Sequence, residues 1–160
     1  MFDGTSVAAV LVECGVTHVV WIPDSVTGAW DAALNSCQSL QLIRVCREGE
    51  AFAVAAGLYL GGKRPVVQIQ CTGMFEAGDA LRNFIHDFKV PLFLLVGLRN
   101  YYASRAGKSA DSAPRFAEAI LHGWKVPFRI FEHEASVADL RDAYLEAWQA
   151  KRAAAVFLAE

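Results

Sequence analysis

The sequence predicts an α/β fold: three α/β/α layers around a six-stranded parallel sheet. Three observations lead there. Six short runs rich in Val, Ile, Leu and Phe alternate with six stretches of helical spacing, the pattern of a doubly wound sheet. The runs are nearly continuous in apolar residues, as strands buried on both faces are. With 160 residues, 54% of them hydrophobic and 20% charged, the chain has enough apolar surface for one sizeable core.

The elements follow in order. Helical spacing over residues 6–14 ends at Gly15, and residues 17–22 form a first strand that runs into Pro23-Asp24-Ser25. A second helix is expected over 26–36 and a second strand over 40–45. A third helix spans 48–60 and stops at Gly61-Gly62, where positive φ suits a C-terminal cap. Strands at 65–70, 91–97, 127–131 and 154–158 alternate with helices at 75–88, 114–121 and 137–151. The polar stretch 98–113 carries Arg99, Arg105 and Lys108, is longer than an ordinary connection, and reads as a functional loop. No linker or low-complexity segment interrupts the pattern, so residues 1–160 read as a single domain.

Several functions are excluded by what is missing. Fifteen basic and seventeen acidic residues, without runs, give a formal net charge of −2 and no nucleic-acid footprint. Cys14, Cys37, Cys46 and Cys71 are too widely spaced for a zinc or redox pair, and Cys14, Cys46 and Cys71, within or beside apolar segments, read as small buried thiols. His18, His86, His122 and His133 are equally scattered, so no metal site is expected within this chain. Gly107-Lys108-Ser109 looks like the end of a P-loop, but Tyr102 stands where its first glycine is needed. No G-x-G-x-x-G follows the first strand, and no G-x-S-x-G marks a hydrolase serine. The N-terminus lacks a basic region before an apolar stretch, and no apolar run is long enough to cross a bilayer. A soluble, cytoplasmic setting without a membrane is expected.

Ligands of open α/β sheets sit at the carboxyl ends of the strands. That rule selects Pro23-Asp24-Ser25, Cys46-Arg47-Glu48, Cys71-Thr72-Gly73 and Leu98-Arg99-Asn100. In the second of these, Glu48 and Glu50 open a helix whose next turns are almost all Ala, Val and Gly. A carboxylate in the first turn complements the helix dipole, and small residues let a helix lie close to a sheet. Neither point explains why the two carboxylates stand at a strand-end site.

Glu48 followed nine residues later by Gly57, with alanines between, resembles the pyrimidine-binding (PYR) domain of thiamine-diphosphate (ThDP) enzymes. The closer resemblance is to the α subunits of sulfopyruvate decarboxylase and the similar half of phosphonopyruvate decarboxylase. Those carry a strand ending in Pro-Asp, then Arg-Glu-x-Glu leading to Ala-Gly-x-Tyr-Leu-Gly-Gly-Lys. Here the corresponding residues are Val20 to Ser25 and Arg47 to Lys63, and Gln70-Cys71-Thr72-Gly73 and Lys89 to Leu95 resemble the next two blocks. The likeness runs from about residue 5 to residue 97.

The resemblance implies a ThDP-dependent decarboxylase of a small, anionic 2-oxo acid. It places Glu48 against N1′ of the cofactor's aminopyrimidine, where a carboxyl group promotes deprotonation of the thiazolium carbon. Pro23, Thr72 and Gly73 would line the cofactor site. Asp24 and Ser25 have two readings, catalytic positioning or a helix N-terminal cap. Arg47 reads as a surface or ion-pair residue. The diphosphate and its Mg²⁺ need a Gly-Asp-Gly…Asn segment that this chain lacks, since Gly78-Asp79-Ala80 falls inside a predicted helix. A β subunit with the diphosphate-binding (PP) domain is therefore expected, in an α2β2 or larger hetero-oligomer.

Two departures bear on substrate. Where the sulfopyruvate family reads Ser-Gly-Leu-Gly-Asn, this chain has Thr72-Gly73-Met74-Phe75-Glu76, and Arg-Gly after strand four becomes Arg99-Asn100-Tyr101. Glu76 is expected to put a negative charge near the site and to disfavour a sulfonate or phosphonate. Arg99 could bind an acidic substrate or belong to a solvated loop. A carboligase or other C–C lyase, a non-catalytic PYR-like module and a flavodoxin-like binding domain remain alternatives.

Overall fold

The structure, a computed structural model, describes residues 2–160. Its strands are β1 (His18–Trp21), β2 (Gln41–Arg44), β3 (Pro65–Gln70), β4 (Phe93–Leu98), β5 (Phe128–Phe131) and β6 (Ala154–Ala159). They form one all-parallel sheet in the order β2-β1-β3-β4-β6-β5. The helices are α1 (Gly4–Glu13), α2 (Asp31–Ser36), α3 (Glu48–Leu60), α4 (Cys71–Glu76), α5 (Gly78–Arg82), α6 (Tyr101–Arg105), α7 (Ala113–Gly123) and α8 (Val137–Gln149). The α/β/α architecture and six parallel strands agree with the sequence reading.

Side chains of each strand alternate between two cores, as the two-residue period requires. Val20, Val67, Ile69, Leu94, Val96 and Phe157 face α3, α4, α5 and α7. Val19, Trp21, Val66, Leu95 and Val156 face α1, α2 and α8. In α3 the residues turned inward are Ala51, Phe52, Ala55 and Ala56, all buried, so three alanines bring its backbone close to the sheet. Gly61 caps α3 and Gly62 follows at φ 79°, as the paired glycines predict.

Three expected elements differ. The 26–36 helix begins only at Asp31, after a 3₁₀ turn at Gly28–Trp30, because the Asp24 side chain holds Val26 and Thr27, and its carbonyl Gly28, in a tight turn. The 75–88 helix starts earlier, at Cys71, and is broken into α4, α5 and a π-helical turn at Asn83–Asp87. Close approach shapes this region: a Cβ on Gly78 would lie 3.3 Å from the Trp124 ring. The 98–113 stretch contains a helix of its own, α6, which follows Asn100 in the left-handed conformation at φ 59°. Among the described residues no helix is long and apolar enough to cross a membrane.

Topology fixes where a ligand would sit. The chain leaves β1 toward the α1/α2/α8 layer, whereas it leaves β2 and β3 toward the α3/α4/α5/α7 layer. The connections therefore diverge above the carboxyl ends of β1 and β3, opening the crevice where such sheets bind ligands.

Candidate active site

Glu48 is the first residue of α3 and comes four residues after β2 ends, with Arg47 in extended backbone before it. Gly73 is the third residue of α4, which follows β3 without an intervening loop. The two meet. A Cβ built on Gly73 would overlap Oε1, Cγ and Cδ of Glu48, so the half-buried glutamate lies directly over a bare Cα. Glycine is required here for space, because Gly73 does not adopt positive φ.

Three carboxylates crowd the mouth of α3, and their partners separate them. Glu50 Oε2 accepts from the Cys46 N–H at 3.0 Å. Glu76 Oε1 accepts from Arg47 Nε at 3.2 Å and pairs with its terminal nitrogen, while Oε2 lies 3.4 Å from the Gly49 N–H. The Arg47 guanidinium holds the Glu76 carboxyl below the usual carboxylate range, and Glu76 in turn raises Arg47. Glu48 alone has no hydrogen-bond partner among the described residues. Glu76 thus does bring a negative charge beside the site, but Arg47 neutralises it, which removes the basis for expecting repulsion of an anionic substrate. Arg47 takes the ion-pair role.

On the other side of the crevice stands the β1 loop. Asp24 Oδ1 accepts from the N–H groups of Val26 and Thr27 at 2.6 and 2.9 Å, and Oδ2 from the Thr27 hydroxyl at 2.8 Å. Its carboxylate is occupied as a cap on the turn. Gly97 in β4 gives this loop room: a Cβ there would meet Val26 Cβ at 2.9 Å and Asp24 Oδ1 at 3.1 Å. Pro23 and Ser25 are exposed at the crevice. Gln70, the last residue of β3, donates from Nε2 to the Ser25 hydroxyl at 3.2 Å. Its Oε1 accepts from the Thr72 hydroxyl at 2.9 Å. One amide thus joins the β1 loop to α4 across the crevice.

Gln70 is absent from the candidates read from the sequence, although a polar residue closing an apolar strand at its carboxyl end was a signal for it. Asp111 was missed as well. Its carboxylate accepts from Arg99 Nε at 3.3 Å, Asn100 Nδ2 at 3.1 Å and the Ala113 N–H at 3.0 Å, ties the 98–113 stretch together and engages Arg99. These donors, the Ala113 N–H first, hold Asp111 below the ordinary carboxylate value of 3.8. No local pattern announces a contact twelve residues away. Beneath this cluster Cys71 is buried, and burial pushes its thiol up.

Residues 3–119 match the family described as thiamine pyrophosphate enzyme, N-terminal TPP binding domain. The chain belongs to this family. Strand β5, helix α8 and strand β6 lie beyond the matched residues yet complete the same sheet. Over 89 residues the chain is 27% identical to sulfopyruvate decarboxylase subunit alpha of Methanococcus maripaludis, covering 56% of this chain and 53% of that one. Over 95 residues it is 30% identical to phosphonopyruvate decarboxylase of Streptomyces hygroscopicus, covering 59% of this chain and 24% of that one. The chain thus spans about half the length of the first relative and about a quarter of the second. A solved thiamin diphosphate-dependent enzyme from Mycobacterium smegmatis superposes with a TM-score of 0.67 at 18% identity, over 99% of this chain and 30% of that one. At that identity the likeness is one of fold.

Two features of this TPP-family chain fit an aminopyrimidine at the crevice. Glu48 offers a carboxyl group with no competing protein partner among the described residues, and the bare Gly73 Cα gives its side chain room to lie at the crevice.

Proposed function

We propose that residues 1–160 act as one PYR unit, the α subunit of a cytoplasmic ThDP-dependent decarboxylase of a small, anionic 2-oxo acid. The observation that carries this reading is the unpartnered Glu48 carboxylate lying over Gly73 at the strand-end crevice. The names of the relatives, decarboxylases of sulfopyruvate and phosphonopyruvate, support the substrate class.

Glu48 holds the proton shared with the aminopyrimidine nitrogen, and its position at the first turn of α3 keeps it aimed out of the core. Thr72, Gly73 and Pro23 border the cofactor. When bound, thiamine diphosphate supplies the carbon nucleophile and the electron sink for loss of CO₂. Ser25, with Gln70 behind it, presents hydroxyl and amide groups to the 2-oxo acid. Asp24 sets the height of Ser25 by fixing the turn. The Arg47–Glu76 pair leaves the entrance nearly neutral, so an anionic substrate meets no net repulsion there. Arg99, held by Asp111, stands at the edge of the crevice as a cation for the substrate's acidic group. The diphosphate and Mg²⁺ belong to a PP-domain β subunit in an α2β2 or larger assembly, a reading supported by the name of the Methanococcus maripaludis relative, a subunit alpha.

The test is native mass spectrometry of the tagged chain recovered from its own cells, followed by a 2-oxo acid screen on the recovered complex. A stoichiometric partner, bound ThDP and CO₂ release that fails in Glu48→Gln are expected. A monomer without ThDP, from lysate kept rich in ThDP and Mg²⁺, overturns the reading.

A further inference from the structure

At the amino-terminal end of the sheet, opposite the crevice, three turns share one backbone feature. Lys89, Lys125 and Lys151, which lead into β4, β5 and β6, all adopt the left-handed conformation, at φ 56°, 55° and 49°. In two of them the hydrogen bonds close a Schellman-type helix end: Lys125 N–H to His122 O with Val126 N–H to Leu121 O, and Lys151 N–H to Trp148 O with Arg152 N–H to Ala147 O. Glycine or asparagine normally fills that position, because a Cβ is crowded there.

The sheet brings the three together. β4, β6 and β5 are neighbours, so their first residues span about 10 Å at the usual strand spacing. The three lysines, His86 and Arg152 line one cleft of about 270 Å³, and no carboxylate lines it. Arg152 is claimed by Glu146, which also holds Arg129. His86 Nε2 donates to Trp124 O at 2.6 Å. None of the three lysines forms an ion pair or a side-chain hydrogen bond among the described residues. A helix C-terminus favours one nearby cation. That accounts for each lysine singly, but not for three ammonium groups around a single concavity whose floor includes the buried Val90 and Val126.

We propose that this cleft binds a small soluble polyanion bearing adjacent phosphate groups, at the amino-terminal end of the strands, opposite the end that carries Glu48. Lysine ammonium groups serve phosphate as point charges, without the fixed geometry of arginine. Three of them match a compact multiple charge better than a single carboxylate. The cleft is small and concave, which suits a free diphosphate rather than a flat headgroup layer.

The probe is inorganic pyrophosphate, titrated calorimetrically into the full chain at low ionic strength without Mg²⁺. Saturable one-to-one binding that weakens as salt rises is expected. The variant K89N/K125N/K151N removes the charges while keeping residues that tolerate the left-handed turn. Its affinity should fall about tenfold or more, while K108N/R115Q, beyond the carboxyl end of β4 and remote from the cleft, binds as the wild type does. Should the triple variant not fold, K125N/K151N carries the same comparison. Absence of saturable binding by the wild type, or equal binding by the folded neutral variant, overturns the proposal. So does sedimentation of the chain with phosphatidylglycerol vesicles that pyrophosphate does not compete away.

Discussion

Gly73→Ala separates the geometry of the site from the stability of the fold. Alanine is the better helix residue by about 1 kcal/mol, and Gly73 sits inside α4 without positive φ. The added methyl nevertheless overlaps Glu48 at Cγ and Cδ as well as Oε1, so moving only the tip of the side chain does not relieve it. Glu48 must swing from its stem, at a cost of about 0.5–1.5 kcal/mol if it leaves its rotamer. Gain and cost nearly cancel, and the melting temperature should stay close to that of the wild type. The displaced carboxylate no longer reaches the cofactor. Losing a hydrogen bond to a charged group costs about 1.5–3 kcal/mol. At about 1.4 kcal/mol per factor of ten, kcat/KM of the assembled enzyme should fall roughly 10- to 150-fold. Thermal unfolding and decarboxylation kinetics on one preparation read both quantities. In a Glu48→Ala background the overlap is gone, so Gly73→Ala should become stabilising, a coupling that a double-mutant cycle detects without any activity assay. Wild-type kinetics in Gly73→Ala, together with additive melting shifts, would refute the contact.

Four further outcomes follow from the same structure. Glu48→Gln keeps the side chain's shape but not its proton chemistry, so turnover should drop about 10²- to 10⁴-fold with an unchanged circular dichroism spectrum; near-normal turnover removes Glu48 from its role. Gln70→Ala cuts the link between Ser25 and Thr72, and should raise KM for the 2-oxo acid while leaving ThDP affinity in place; calorimetry showing weakened ThDP binding instead would assign Gln70 to the cofactor. Tyr144 has a buried hydroxyl with no partner, and burial pushes its pKa up to about 12 from 10. A raised value means that the stability held by the protonated phenol is full below pH 10 and lost as pH climbs toward about 12. Urea unfolding of Tyr144→Phe should show about 1–3 kcal/mol more stability at neutral pH and no such alkaline loss. Asp111 has a lowered pKa, so its hold on the 98–113 stretch is full above its ordinary value of 3.8 and lost as pH falls through the lower folded value. Protection factors of the 100–113 amides should fall in Asp111→Asn at neutral pH, as the wild type's do on acidification once the intrinsic rates are corrected for pH, and unchanged protection would show that other contacts hold the segment.

Much of this protein was legible in short stretches of sequence. Strand runs and the Gly61-Gly62 stop depend on neighbours a few residues away, and they located six strands and the end of α3. Local signals misled where a side chain bonded sideways, as Asp24 delays α2, and where a helix opened directly off a strand, as α4 does at Cys71, four residues before the expected 75–88 helix. What only the tertiary structure decided is what the crossovers bring together. The order β2-β1-β3-β4-β6-β5 places Gln70 against Ser25, 45 residues apart, and Glu76 against Arg47, 29 apart. It also gathers three lysine turns at the amino ends of β4, β6 and β5. Period and capping are properties of neighbouring residues, whereas a charge's partner is set by strand order, which depends on how two distant apolar faces bury one another.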